Sequence, residues 1–125
     1  MCSCTFGKSK FYVCILLIIS TGNAIFVFKL TYLQSIEEVE KYLPAHLAYL
    51  QEYYDMGHFI ASGRQVPRVG GGILCCASSK DAAEAILQED PFYIHPIAEY
   101  EMIEFVPSKY ANGFEVFICF DFGIS

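Results

Sequence analysis

Few residues in this chain have both the type and the spacing to do chemistry. Imidazole is the side chain that titrates near neutral pH, and the chain carries it at His46, His58 and His95. His46 falls three residues after Leu43 and four before Leu50, on the flank of a helical apolar stripe. There it is either a partly buried structural histidine or a general acid or base. Asp90 stands directly before Pro91. That order suits a capping carboxylate followed by proline in the first helical position. It equally leaves an anion at the negative end of a preceding helix, a cost that a nearby imidazolium would offset. Pairing of Asp90 with His46 is thus one of two open readings.

Other candidates are weaker. His95, five residues past Asp90, lies either at the surface or in the same pocket. The histidines fall on three separate elements with no close spacing, so no metal site is expected. Ser62, Gly63 and Arg64 could form a polar pocket wall, with Arg64 holding an acidic substrate; a solvated strand end explains Arg64 as well. The run Gly70-Gly71-Gly72 lacks the Lys-Ser/Thr ending of a phosphate loop and reads as a flexible hairpin. No Ser or Cys nucleophile motif is present, which disfavours covalent acyl chemistry.

The elements around these residues must fit into 125 residues, room for one domain. Nine Tyr and eleven Phe supply large side chains to bury, which excludes disorder. Eight Lys and Arg stand against fourteen Asp and Glu, a net charge of −6 with no basic stripe. Nucleic acid and anionic membrane surfaces are therefore disfavoured partners. The six Cys show no CxxC pair and no zinc spacing. They read as small core hydrophobes in a reducing, cytoplasmic compartment.

Residues 1–24 differ from the rest. Lys8 and Lys10 precede the apolar run from Phe11 to Ile19, and Gly22 and Ala24 follow it. This fits a secretory signal peptide, which would place the protein in the periplasm or outside the cell. It fits equally an extension upstream of a start near Ile25. The apolar run is too short for a membrane span.

From residue 25 to 33, Phe26, Phe28, Leu30 and Tyr32 alternate with polar neighbours, predicting a strand. Ser35 and Glu38 have capping-box spacing. Ile36, Val39, Leu43, Leu47, Leu50 and Tyr54 predict a helix to about Met56, closed by Gly57 and kinked or broken at Pro44. Strands follow over 58–66 and 72–78, with a turn from Pro67 to Gly72. A helix over 80–89 ends before Pro91. A last strand covers 97–106, with a bulge where its alternation changes phase at Ile103 and Glu104. A short helix after Pro107 and an apolar tail over 116–124 close the chain.

Strand, helix, strand, strand, helix, strand is the order of an α+β, ferredoxin-like βαββαβ domain with a four-stranded antiparallel sheet. Strands apolar on both faces, such as Ile73-Leu74-Cys75-Cys76, imply a homodimer packed sheet against sheet.

Several stretches carry a resemblance: Phe28-Lys29-Leu30-Thr31-Tyr32, the helical segment from Leu43 to Leu50, Gly57 to Gly63, Glu89-Asp90-Pro91-Phe92-Tyr93, and Ala98 to Phe105. In order and spacing they resemble the YciI-like (YCII-related) family of small dimeric α+β-barrel proteins. The resemblance covers residues 25–110, leaving 1–24 as a signal-like or spurious extension and 111–125 as a tail. It implies a histidine/aspartate site in a pocket, at His46 and Asp90; Ser62, Gly63, Arg64 and Phe92 are the candidate residues for binding a small-molecule ligand there. One branch of that family removes chloride from a hydroxylated aromatic ring. Two functions stay open: a lyase- or hydrolase-type acid–base catalyst for a small ring or carbonyl compound, and a non-catalytic ligand- or partner-binding module. No cofactor, metal, nucleic acid or stable membrane insertion is expected.

Overall fold

A strand that alternates large apolar and polar residues must put its apolar row against something, and here that row meets two helices. A computed structural model describes residues 23–118. The first strand, β1 (Ala24–Tyr32), buries Phe26, Phe28 and Leu30 on one face. It is the centre of a four-stranded antiparallel sheet of order β2-β3-β1-β4, completed by β2 (Phe59–Arg64), β3 (Gly70–Ala77) and β4 (Ala98–Phe105). Helices α1 (Ile36–Asp55) and α2 (Lys80–Leu87) cover the inner face, and the core joins Val39, Tyr49 and Tyr53 of α1 and Ala83, Ile86 and Leu87 of α2 to the inward strand residues. Single turns α3 (Pro91–Ile94) and α4 (Glu115–Ile118) complete the described chain. The expected signal-like extension over residues 1–22 and the tail beyond residue 118 lie outside the described residues.

Helix α1 starts and stops by local chemistry. Ser35 Oγ accepts the Glu38 N–H at 3.3 Å. Glu38 does not close the capping box, because its carboxylate pairs instead with Lys41 at 2.6 Å, one turn away. At the other end Gly57 adopts φ 86°, and its N–H reaches Tyr54 O at 3.0 Å while His58 N–H reaches Tyr53 O at 3.0 Å. That pair of bonds is a Schellman ending. The expected break at Pro44 is absent: α1 runs unbroken for 20 residues. A proline inside a helix costs about 3 kcal/mol. Burial of Val39 before it and Tyr49 and Tyr53 after it contributes about 1.5–3 kcal/mol per side chain, enough to hold one continuous helix.

Two further expectations are corrected. The register between β1 and β4 runs without a shift from Tyr32↔Ala98 to Ile25↔Phe105, so β4 has no bulge. Its change of phase reflects a change of surroundings: Ile103 is 59% exposed on the outer face while Ala98, Tyr100 and Met102 face the helices. The irregularity lies instead in β2, between Phe59 and Ala61. The glycines at 70–72 belong to β3 itself, paired with Thr31, Leu30 and Lys29, and are no flexible turn.

Gly70 is there for close approach. A Cβ on it would lie 1.8 Å from Leu30 O, inside the carbonyl of the neighbouring strand, and 3.0 Å from Gln65 Nε2. That same Gln65 amide donates to Leu30 O at 2.9 Å, tying the β2–β3 connection to β1. Gly63 has nothing within 4 Å of such a Cβ. Gly70→Ala is therefore expected to cost about 3 kcal/mol or more through forced strand separation, and Gly63→Ala less than about 1 kcal/mol. Urea unfolding of the two variants checks this; equal midpoints would show that β3 can move away from β1 freely.

Candidate functional site

The site begins with the rotation of α1. Its buried centre is Val39, His46, Tyr49 and Tyr53, so His46 points into the protein rather than lying on the flank of the stripe. Leu43, Leu47 and Leu50, which share the periodicity of core leucines, form the wall of a cavity of about 340 Å³, with Leu43 and Leu50 also packed against the core. Leu47 is accordingly half exposed. Leu30, Gly71, Gly72 and Ile73 contribute from the sheet, while His46 and Phe92 line the cavity together with Ser62, Gly63, Arg64 and Arg68.

Asp90 is fully buried, at 0% exposure. An ionised carboxylate taken out of water needs partners of its own, and three donors converge on it. Oδ1 accepts from His46 Nδ1 at 2.7 Å and from the Phe92 N–H at 2.9 Å. Oδ2 accepts from the Tyr100 hydroxyl. Asp90 is also the N-cap of α3, with Pro91 in the first turn. The two readings of the Asp-Pro pair are therefore both realised, one on each side of the same oxygen. The carboxylate serves the start of α3 and not the unfavourable end of α2, which closes at Gln88.

His46 is 8% exposed and is fixed in two directions. Asp90 holds Nδ1, and Phe92 stacks on the ring face with centroids 4.1 Å apart and planes 2° from parallel. A carboxylate only accepts, so in the neutral ring the proton sits on Nδ1 and the lone pair on Nε2, the nitrogen on the other side of the ring. That is the tautomer a general base facing the cavity requires.

Around the pair, tyrosines from α1 and β4 grip the corner between α2 and α3. Tyr49 donates to Ile86 O at 2.7 Å, and Tyr53 donates to the Glu89 carboxylate. Burial, followed by the charge of Asp90, pushes the hydroxyls of Tyr49 and Tyr100 well above the usual tyrosine range. No buried side-chain nitrogen or oxygen among the described residues lacks a partner.

The other expected site residues divide. Ser62 lines the cavity and shares a hydrogen bond with the Tyr54 hydroxyl at 2.8 Å. Gly63, Arg64 and Phe92 line it as well. His95 stacks on Tyr42 at 4.4 Å, and His58 Nδ1 lies 2.9 Å from Cys76 O; neither lines the cavity. Sequence reasoning missed Tyr100, although it has the strand parity of Ala98 and Met102 and so must face the helices. It also missed Arg68, which lines the cavity and donates to Glu40 at 3.2 Å. Cys75 and Cys76 are buried free thiols, and burial pushes the Cys75 thiol up to about 12. Among the described residues no group of three or more His, Cys, Asp or Glu is placed to hold a metal ion, and no helix is long and apolar enough to cross a membrane.

A four-stranded antiparallel sheet with helices on one face, and a histidine held by a buried aspartate at a cavity wall, define a small α+β protein with one enclosed polar pair. A family model described as the YCII-related domain matches residues 17–106, and the chain belongs to that family. No curated protein matches it.

The tyrosines give the site a pH signature. Their folded-state values are raised, so the fold favours the neutral phenol. The stability this contributes is fully present below the unfolded value of about 10 and is lost as pH rises toward the folded values. Absorbance titration should show Tyr49 and Tyr100 ionising only as circular dichroism reports unfolding. Complete ionisation near pH 10 in a protein that stays folded would contradict the burial of this network.

Proposed function

We propose that this protein is an acid–base catalyst for a small ring or carbonyl compound, with His46 transferring the proton at Nε2 and Asp90 holding its tautomer. The observation that carries this reading is the hydrogen bond between His46 and a fully buried Asp90 at the wall of a cavity. A structural histidine needs neither a neighbouring cavity nor a fixed tautomer. Ser62, Gly63, Arg64 and Phe92 are the proposed substrate-binding residues. The proposed frame is a ferredoxin-like domain over residues 25–110 with a tail over 111–125, located in the cytoplasm, where the thiols of Cys75 and Cys76 stay reduced. The apolar part of the lining, four leucines with Ile73 and Phe92, favours a second reading, a non-catalytic module that binds a small ligand in the same cavity.

A thermal-shift screen of small ring and carbonyl compounds on the full chain, followed by turnover assays on the hits, separates the two. His46→Ala should lower kcat/KM by about 10²–10⁴-fold in a protein that still folds, with its stability reduced because Asp90 loses one of its three donors. Asp90→Asn should also stay folded, because an amide can keep the two Oδ1 bonds and donate its N–H to the Tyr100 oxygen. It should still lose activity, since the charge that stabilises an imidazolium is gone. Nitrogen-15 NMR of the wild type should show the Nδ1–H tautomer at His46; the Nε2–H form would sink the catalytic reading.

The proposed homodimer uses the outer face of the sheet, where Ile103 and Phe105 are exposed beside the half-buried Val27 and Leu74. Light scattering should give twice the chain mass, and Ile103→Glu should shift the protein to monomer. A monomeric wild type at micromolar concentration would remove the proposal.

A further inference from the structure

The proposed function leaves the substrate class open, and the charge of the cavity narrows it. The chain is acidic, with fourteen Asp and Glu, yet no carboxylate among the described residues lines the cavity beside His46. Both arginines of the chain do, Arg64 and Arg68. Random placement in a protein of net charge −6 does not favour that composition. The two arginines are also in different states. Arg68 is already compensated by Glu40 at 3.2 Å. Arg64, on the edge strand opposite Gly71, has no ion-pair partner among the described residues.

We propose that the cavity binds a small organic monocarboxylate, with its carboxylate on the Arg64 guanidinium and its apolar body against Phe92, Leu43 and Leu47. One uncompensated cation asks for one negative charge. Guanidinium presents a planar fork that matches a carboxylate with two parallel hydrogen bonds. A dianion such as a phosphate monoester would need Arg68 as well, released from Glu40. The absence of a side chain at Gly71, which shares the inner face of the sheet with Leu30 and Ile73, leaves room for the ligand's body above the sheet. This inference rests on the cavity being the substrate site of the proposed function, and it adds the part of the substrate that is held while His46 works on another part.

Benzoate is a suitable probe for the full chain, titrated by NMR or calorimetry against its uncharged isostere benzamide and against phenyl phosphate. Benzoate is expected to bind saturably, to lose affinity as sodium chloride is raised, and to perturb the signals of Arg64 and Phe92. Benzamide should bind about tenfold more weakly or worse. Phenyl phosphate should gain nothing over benzoate. Arg64→Met should weaken benzoate by about tenfold or more, and Lys29→Met, which removes a cation from the opposite face of the sheet, should leave it unchanged. Absence of saturable benzoate binding, equal affinity for benzamide, tighter binding of phenyl phosphate, or indifference to Arg64→Met each overturns the assignment. The readout is separable from catalysis. Arg64-dependent benzoate binding in a protein that turns nothing over supports the carboxylate site while the acid–base reading fails. Turnover of an uncharged compound with benzoate ignoring Arg64 does the reverse.

Discussion

A carboxylate sealed from solvent is expensive, and the structure around Asp90 is organised by that cost. Moving such an ion out of water costs several kcal/mol even after the protein relaxes, and the side chain is fully buried. The compensation comes from three donors on three elements: His46 on α1, the Phe92 N–H in the first turn of α3, and Tyr100 on β4. Asp90 thereby ties the long helix, the α3 turn and an edge strand together at one point. Removing any single donor leaves part of the cost unpaid, which is more damaging than the modest net worth of one hydrogen bond. The same constraint explains why the neighbouring corner is held so firmly, with Tyr49 on Ile86 O and Tyr53 on Glu89 keeping the end of α2 in place.

The cavity follows from the orientation this imposes on α1. With His46 turned toward Asp90, Leu43 and Leu50 sit at the margin of the core and Leu47 lies outside it, and all three line the space beside β2 and β3. On the sheet side, Gly71 offers no side chain to fill that space. Gly70, one position earlier, lets the strands approach closely enough for Gln65 to bond Leu30 O. A polar pair and a run of glycines, features that look unrelated in the chain, thus bound one cavity from opposite sides.

Much of this was legible in the sequence because local rules and tertiary demands agree. Alternation in Phe26, Phe28 and Leu30, the Ser35 cap and the Gly57 ending each specify an element without reference to the rest. Asp90 and His46 were visible as residue types in suggestive places, and the family resemblance singled them out. What could not be read was which apolar residues face a core and which face a cavity, since Leu47 and Val39 have the same periodicity and opposite burial. The bulge was assigned to β4 on a polarity change that arises from exposure, while the actual irregularity in β2 leaves no trace in a strand of mixed polarity. Tyr100 was readable by parity, but parity alone does not say that a tyrosine hydroxyl will find a carboxylate ten residues away.

The stacking of His46 on Phe92 limits what chemistry the pair can support. The lone pair of a ring nitrogen lies in the ring plane, and one face of that plane is occupied by Phe92 at 4.1 Å. In the proposed reaction, a proton exchanged with Nε2 would therefore approach along the edge of the imidazole. Nothing in the pair has to reorganise for this approach: Nδ1 is already engaged, and the ring cannot rotate without leaving both Asp90 and Phe92. In the proposed reaction such preorganisation would lower the barrier, because the ordering of the pair is complete beforehand. The aspartate that holds the ring is also the N-cap of α3, with Pro91 restricting the backbone beside it. Fold and candidate site consequently share one residue: the pair is held by the requirements of folding, whereas Arg64 and Leu47 in the cavity wall are exposed.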